Sequence, residues 1–193
     1  VEALTQKNDD GSVNSRQFVL KAGPATAPNE KTISPAAGDA LLLSKNPLFD
    51  AAFALSQQER QQNSVSEITD WGFNDQQALP CPCFETGAKW HYVWTRDLSY
   101  ALDLGLGALD PVRAQTSLLF KTSVVRPELI ARGIDNAEVA LQDTGSGGSW
   151  PVSSDRVVWV LAASGLTAQD PTGASNQAAG EAWQQRWYTI ARN

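Results

Sequence analysis

Twice the chain sets a capping residue directly before a proline and follows the pair with apolar residues: Asn46–Pro47 and Asp110–Pro111. Asparagine and aspartate satisfy the free N–H groups of a first helical turn, and proline is tolerated only where its missing N–H is no loss. Each pair therefore fixes a helix start. From Asn46 the run "NPLFDAAFALSQQERQQNS" offers Leu48, Phe49, Ala52, Phe53 and Leu55 as an apolar stripe, with a polar tail beyond Ser56. From Asp110 a further helix continues through "VRAQTSLLFKTSVV".

Four more helical stretches complete the pattern. One runs from about Arg96 to Leu109, and a short one covers "RPELIARG", stopped by Gly133. "SSDRVVWVLAASG" is apolar on nearly every side after Arg156, as expected of a buried helix. "NQAAGEAWQQRWYTIARN" places Ala182, Trp183, Trp187, Ile190 and Ala191 on one face and Glu181 on a solvated one. Residues 1–45 read as an extended N-terminal segment or linker with one short strand, "RQFVLKA" from Arg16 to Ala22. No strand–helix alternation appears, so the expected class is all-α, an array of helical hairpins over residues 46–193 behind an irregular N-terminal segment.

Between the helices lie two long loops, Asp70 to Trp94 and Leu141 to Ser153, the second rich in glycine. Loops of this length in a domain usually serve function. The first delivers Trp94 to Thr95, Arg96 and Asp97 at a helix mouth. Arginine presents a rigid fork of donors and aspartate only acceptors, a combination that matches neighbouring hydroxyls of a sugar, with Trp94 as a stacking wall. The competing reading is a helix cap and a salt bridge. The second loop repeats the design with Trp150, Ser153, Ser154 and Asp155, where capping and the helix dipole are again the alternative. Its glycines do not form a phosphate loop, since no Gly-Lys-Ser/Thr follows and no strand precedes.

The seven tryptophans among 193 residues serve either the core or a stacking surface for flat ligands. A net charge of −6 argues against a nucleic-acid partner, and no apolar run reaches the length of a membrane span. Cys81 and Cys83, the only cysteines, lack the companions of a zinc site and read by default as two free, half-buried thiols, with a strained, redox-labile bridge as the alternative. His91 is the single histidine and has no nucleophile motif near it, so a hydrolase triad has no support. The absence of methionine, even at position 1, suggests a processed chain or a piece of a longer one.

"YVWTRDLSYALDLGL…DPVRA" resembles the start of the second helix in the six-hairpin glycosidases, the (α/α)6-barrel sugar hydrolases that include glucoamylase-like enzymes. "SWPVSSDRVVWVLA" is similar to a later segment of that family, in which a tryptophan lines the site. The resemblance implies that residues 46–193 are the first hairpins of such a barrel. It implies that Arg96 and Asp97 hold a sugar in the −1 subsite, that Trp94 and Trp150 wall it, and that Asp155 is an acidic companion. The function implied is hydrolysis of glycosidic bonds in oligo- or polysaccharides, by inversion, with two carboxyls roughly 6.5–9.5 Å apart. The general acid and base are expected beyond Asn193, on the remainder of the barrel as a second polypeptide or an extension. No cofactor or metal is implied, and a periplasmic or secreted setting fits. Alternatives are a noncatalytic carbohydrate-binding helical protein, an α/α-barrel lyase or epimerase, and a structural helical domain.

Overall fold

Residues 13–21 alternate Val13, Ser15, Gln17, Val19 against Arg16, Phe18 and Leu20, and in the computed structural model they form the middle strand of a sheet. The structure describes residues 2–7, 9–11, 13–21, 30–36, 38–69, 74–123, 138–141, 143, 154–169 and 177–193. They fall into two compact units, Val1–Gln62 and Asn63–Asn193.

In the first unit, strands β1 (Glu2–Lys7), β2 (Val13–Lys21) and β3 (Glu30–Ile33) pair antiparallel in the order β1-β2-β3. Register is set by Leu4 opposite Gln17 and Phe18 opposite Ile33, with an irregularity between Gln6 and Lys7. Helix α1 (Pro47–Gln62) packs Ala51 and Ala54 with Phe18 and Ile33. Asn46 caps it as expected: its Oδ1 accepts from the N–H groups of Leu48 and Phe49. The expected stripe is rotated, however. Leu48 and Phe49 are exposed, and Asp50, Ala51 and Ala54 turn inward.

Asp50 faces inward because its carboxylate is fully engaged. It accepts from the backbone N–H and hydroxyl of Ser44 and pairs with Arg16, whose guanidinium also lies 4.8 Å over the Phe18 ring. The Ser44 hydroxyl first, then Arg16, hold its pKa down from 3.8 to about 2, against the opposing effect of burial. The fold thus prefers the carboxylate, so this contribution to stability is present above about pH 4 and is lost as pH falls toward about 2. Melting curves from neutral pH to about pH 2 should show Asp50→Asn less stable at the upper end and converging with the parent at the lower. Parallel curves across that range would contradict the assignment.

The second unit begins with the two-residue strands β4 (Glu67–Ile68) and β5 (Leu79–Pro80). Helix α2 (Thr95–Ala101) runs through a π-helical turn, Leu102–Leu106, into the single turn α3 (Gly107–Leu109). The uninterrupted helix expected over this stretch is therefore broken at Gly105, which leaves the helical conformation. Helix α4 (Pro111–Phe120) starts where the sequence places it, with the Asp110 carboxylate accepting from the Arg113 N–H at 3.0 Å. Strands β6 (Thr122–Ser123) and β7 (Val139–Ala140) pair next, followed by α5 (Asp155–Gln169) and α6 (Gln177–Arg192). The "RPELIARG" stretch lies outside the described residues.

Three sheets with seven strands, about a fifth of the described structure, overturn the all-α expectation and with it the reading of an all-helical hairpin array forming part of an (α/α)6 barrel. The N-terminal residues are a paired three-stranded sheet, not an irregular segment with one short strand. The reason is physical: strand formation here depends on pairing across the chain, and only β2 carries alternation strong enough to be read locally.

The core of this unit gathers Leu98, Leu102, Leu118, Trp159, Ala162, Leu166, Trp183 and Ile190. On α6, Trp183 and Ile190 turn inward while Ala182 and Ala191 stay exposed. Helix α5 is not buried all round: Trp159, Ala162, Ala163 and Leu166 face the core, while Val157 and Leu161 are exposed. Cys81 and Cys83 are both buried and joined in a disulfide, the alternative to the default reading of free thiols. Their Cα atoms are 5.1 Å apart, within ordinary reach of a bridge. No described helix is long and apolar enough to cross a membrane.

Candidate functional site

Helices α2 and α5 lie against each other, and charged groups mark their N-terminal ends. Arg96, in the first turn of α2, donates from Nε and Nη2 to Oδ1 of Asp155 at 3.0 and 2.9 Å. Asp155 opens α5 and its side chain is 4% exposed, whereas that of Arg96 is 45% exposed. Ten residues on, Gly165 of α5 meets α2's continuation so closely that a Cβ there would lie 3.3 Å from Oδ1 of Asp103. Two contacts in the same order along both helices define a parallel pair. The N-terminal ends of the two helices therefore lie at the same end of the pair.

Helix α2 has no side-chain cap of its own: Trp94 stands at the N-cap in an extended conformation. The cap comes from elsewhere in the chain. Oδ2 of Asp143 accepts the Thr95 N–H, and the Thr95 hydroxyl donates to the Leu141 carbonyl at 3.3 Å. The Asp143 N–H donates to Oδ2 of Asp155 at 3.0 Å, so both aspartates are tied to one another through backbone. Oδ1 of Asp143 receives the ammonium of Lys121 at 2.6 Å, and Lys121 is buried.

An aromatic group stands beside this charge network. The Lys121 ammonium lies 4.5 Å over the Tyr92 ring, which meets Trp94 edge-on at 6.0 Å between centroids. Trp94 in turn meets Trp90 edge-on at 6.3 Å. A tight turn holds the segment in place: the Trp90 N–H donates to the Gly87 carbonyl and the Thr86 N–H to that of Tyr92. Trp90 is 52% exposed, an uncommon position for an indole without a ligand or partner. His91 is also exposed, with Nδ1 3.2 Å from a carboxylate oxygen of Glu85.

Of the residues singled out in the sequence, the structure joins Arg96 to Asp155, and Trp94 stands at the N-cap of α2, two residues before Arg96. Asp97 is exposed in the first turn of α2, one position from Arg96. Trp150 lies outside the described residues, as does Ser153. Lys121, Asp143 and Tyr92 went unnoticed as site residues. Tyr92 carried a signal, lying in the aromatic run Trp90–Trp94 whose tryptophans read as core or a stacking surface. No protein-family model matches the chain, nor does any curated protein or solved structure.

Proposed function

We propose that this chain supplies a sugar-binding subsite to an enzyme that hydrolyses glycosidic bonds, with Arg96 and Asp97 directed at ring hydroxyls, Trp94 stacking on the sugar face and Trp90 bracing it edge-on. The observation that carries this reading is an Arg96 guanidinium held by Asp155 two residues after Trp94, whose indole meets that of the half-exposed Trp90 edge-on. Asp155 engages both Nε and Nη2, which sets the plane of the guanidinium and leaves Nη1 to point elsewhere. Asp97, exposed on the same helical turn, adds acceptors that hydroxyls need. The resemblance of "WTRD" to the glucoamylase-like −1 subsite supports the same assignment.

Isothermal titration with a panel of α- and β-linked disaccharides tests the reading. Arg96→Lys should weaken the best ligand roughly ten-fold or more, as expected for loss of charge-assisted hydrogen bonds. Trp94→Ala should weaken it comparably by removing the wall. The absence of binding by any sugar, or affinity indifferent to both substitutions, would sink the proposal.

A further inference from the structure

Among the described residues, Lys121 is the buried cation on which both arms of this site rest. One arm is polar: Lys121 Nζ to Asp143 Oδ1, the Asp143 N–H to Asp155 Oδ2, and Asp155 Oδ1 to the Arg96 guanidinium. The other is aromatic: the same ammonium lies on the Tyr92 ring, and Tyr92 braces Trp94. We infer that Lys121 is a positioning residue, which never touches ligand but fixes the exposed Arg96 guanidinium and the Trp94 indole relative to each other.

The Lys121 side chain is 1% exposed and that of Asp143 11%, so their attraction is little screened by water. A buried ammonium fixes its acceptor more strictly than a neutral group does, because every unpaired donor is costly. Asp143 is then pinned at three atoms, by Lys121, by the Thr95 N–H and by its own N–H to Asp155. A small shift of Asp143 would move the start of α2 and the partner of Arg96 together. Looseness on that scale is what separates a site that is present from one that binds.

The test uses two readouts, of which only the second rests on the sugar-site reading. The variant Lys121→Gln/Asp143→Asn removes both charges while keeping hydrogen-bonding groups, so no charge is stranded in the interior. Lys121→Arg keeps the charge and serves as the conservative control. In 1H–15N spectra the Arg96 Nε–H and Trp94 indole signals should move in the neutral pair, whereas the Trp159 indole, a marker of the intact core, should not. Lys121→Arg should leave the Arg96 signal nearer its original position. Unmoved Arg96 and Trp94 signals in the neutral pair overturn the inference. For a sugar that the parent binds, affinity should fall about ten-fold in the neutral pair without loss of folded protein. Unchanged affinity also overturns it. Where the parent binds no sugar, the functional reading fails and the spectra alone decide the role of Lys121.

Discussion

Replacing Trp159 by alanine should unfold the second unit under conditions where the parent is stable. The indole is fully buried at the centre of that unit's core and donates its N–H to the Leu118 carbonyl at 3.0 Å, tying α5 to α4. Truncating a buried tryptophan costs roughly 3–5 kcal/mol through lost burial and the cavity left behind. That is comparable to the entire stability of many domains. Urea denaturation followed by circular dichroism measures it. Trp159→Phe keeps much of the volume and should lose less, the residual deficit including about 1 kcal/mol for the bond to Leu118. A Trp159→Ala variant within about 1 kcal/mol of the parent would show that the helices do not pack on this indole.

The second large effect concerns Asp143. Its removal as Asp143→Ala leaves the buried Lys121 ammonium without its carboxylate and takes away the cap of the Thr95 N–H. Breaking a buried ion pair from one side costs about 3–5 kcal/mol, whereas removing both charges together costs far less. The double variant Lys121→Met/Asp143→Ala should therefore recover part of the stability lost in Asp143→Ala. A double-mutant cycle on denaturation free energies checks this. Strict additivity of the two single effects would contradict a buried pair.

How much of this was legible in the sequence varies with the range of the interaction. The helix starts at Asn46 and Asp110 were readable because capping is a local event, completed within three residues. Which face of α1 turns inward was not. Leu48 and Phe49 are more apolar than Asp50, yet Asp50 is drawn in by Arg16, 34 positions away in the chain. The sheets failed for the same reason, since β1 and β3 gain their structure from β2 and not from their own alternation. The Arg96 and Asp155 motifs were each visible as residue types at helix mouths, but their bond spans 59 positions and no spacing announces it. Lys121 stands in "LLFKTS" at the end of α4, where a lysine is ordinarily a solvated helix end. Asp143 lies two residues before a glycine run and resembles any loop aspartate. Only the meeting of α2 with α5 gives either of them a task.

Sugar binding by the guanidinium and indoles at the mouth of α2 is what the proposed function requires. The most direct measurement is a titration of 15N-labelled protein with the disaccharide panel, following every side-chain indole and the arginine Nε–H groups. Saturable shifts of the Trp90 and Trp94 indoles and of Arg96 Nε–H with a single dissociation constant are expected, while the buried Trp159 stays still. Shifts confined to other tryptophans, or no shift at any of these three groups with any sugar, would contradict it.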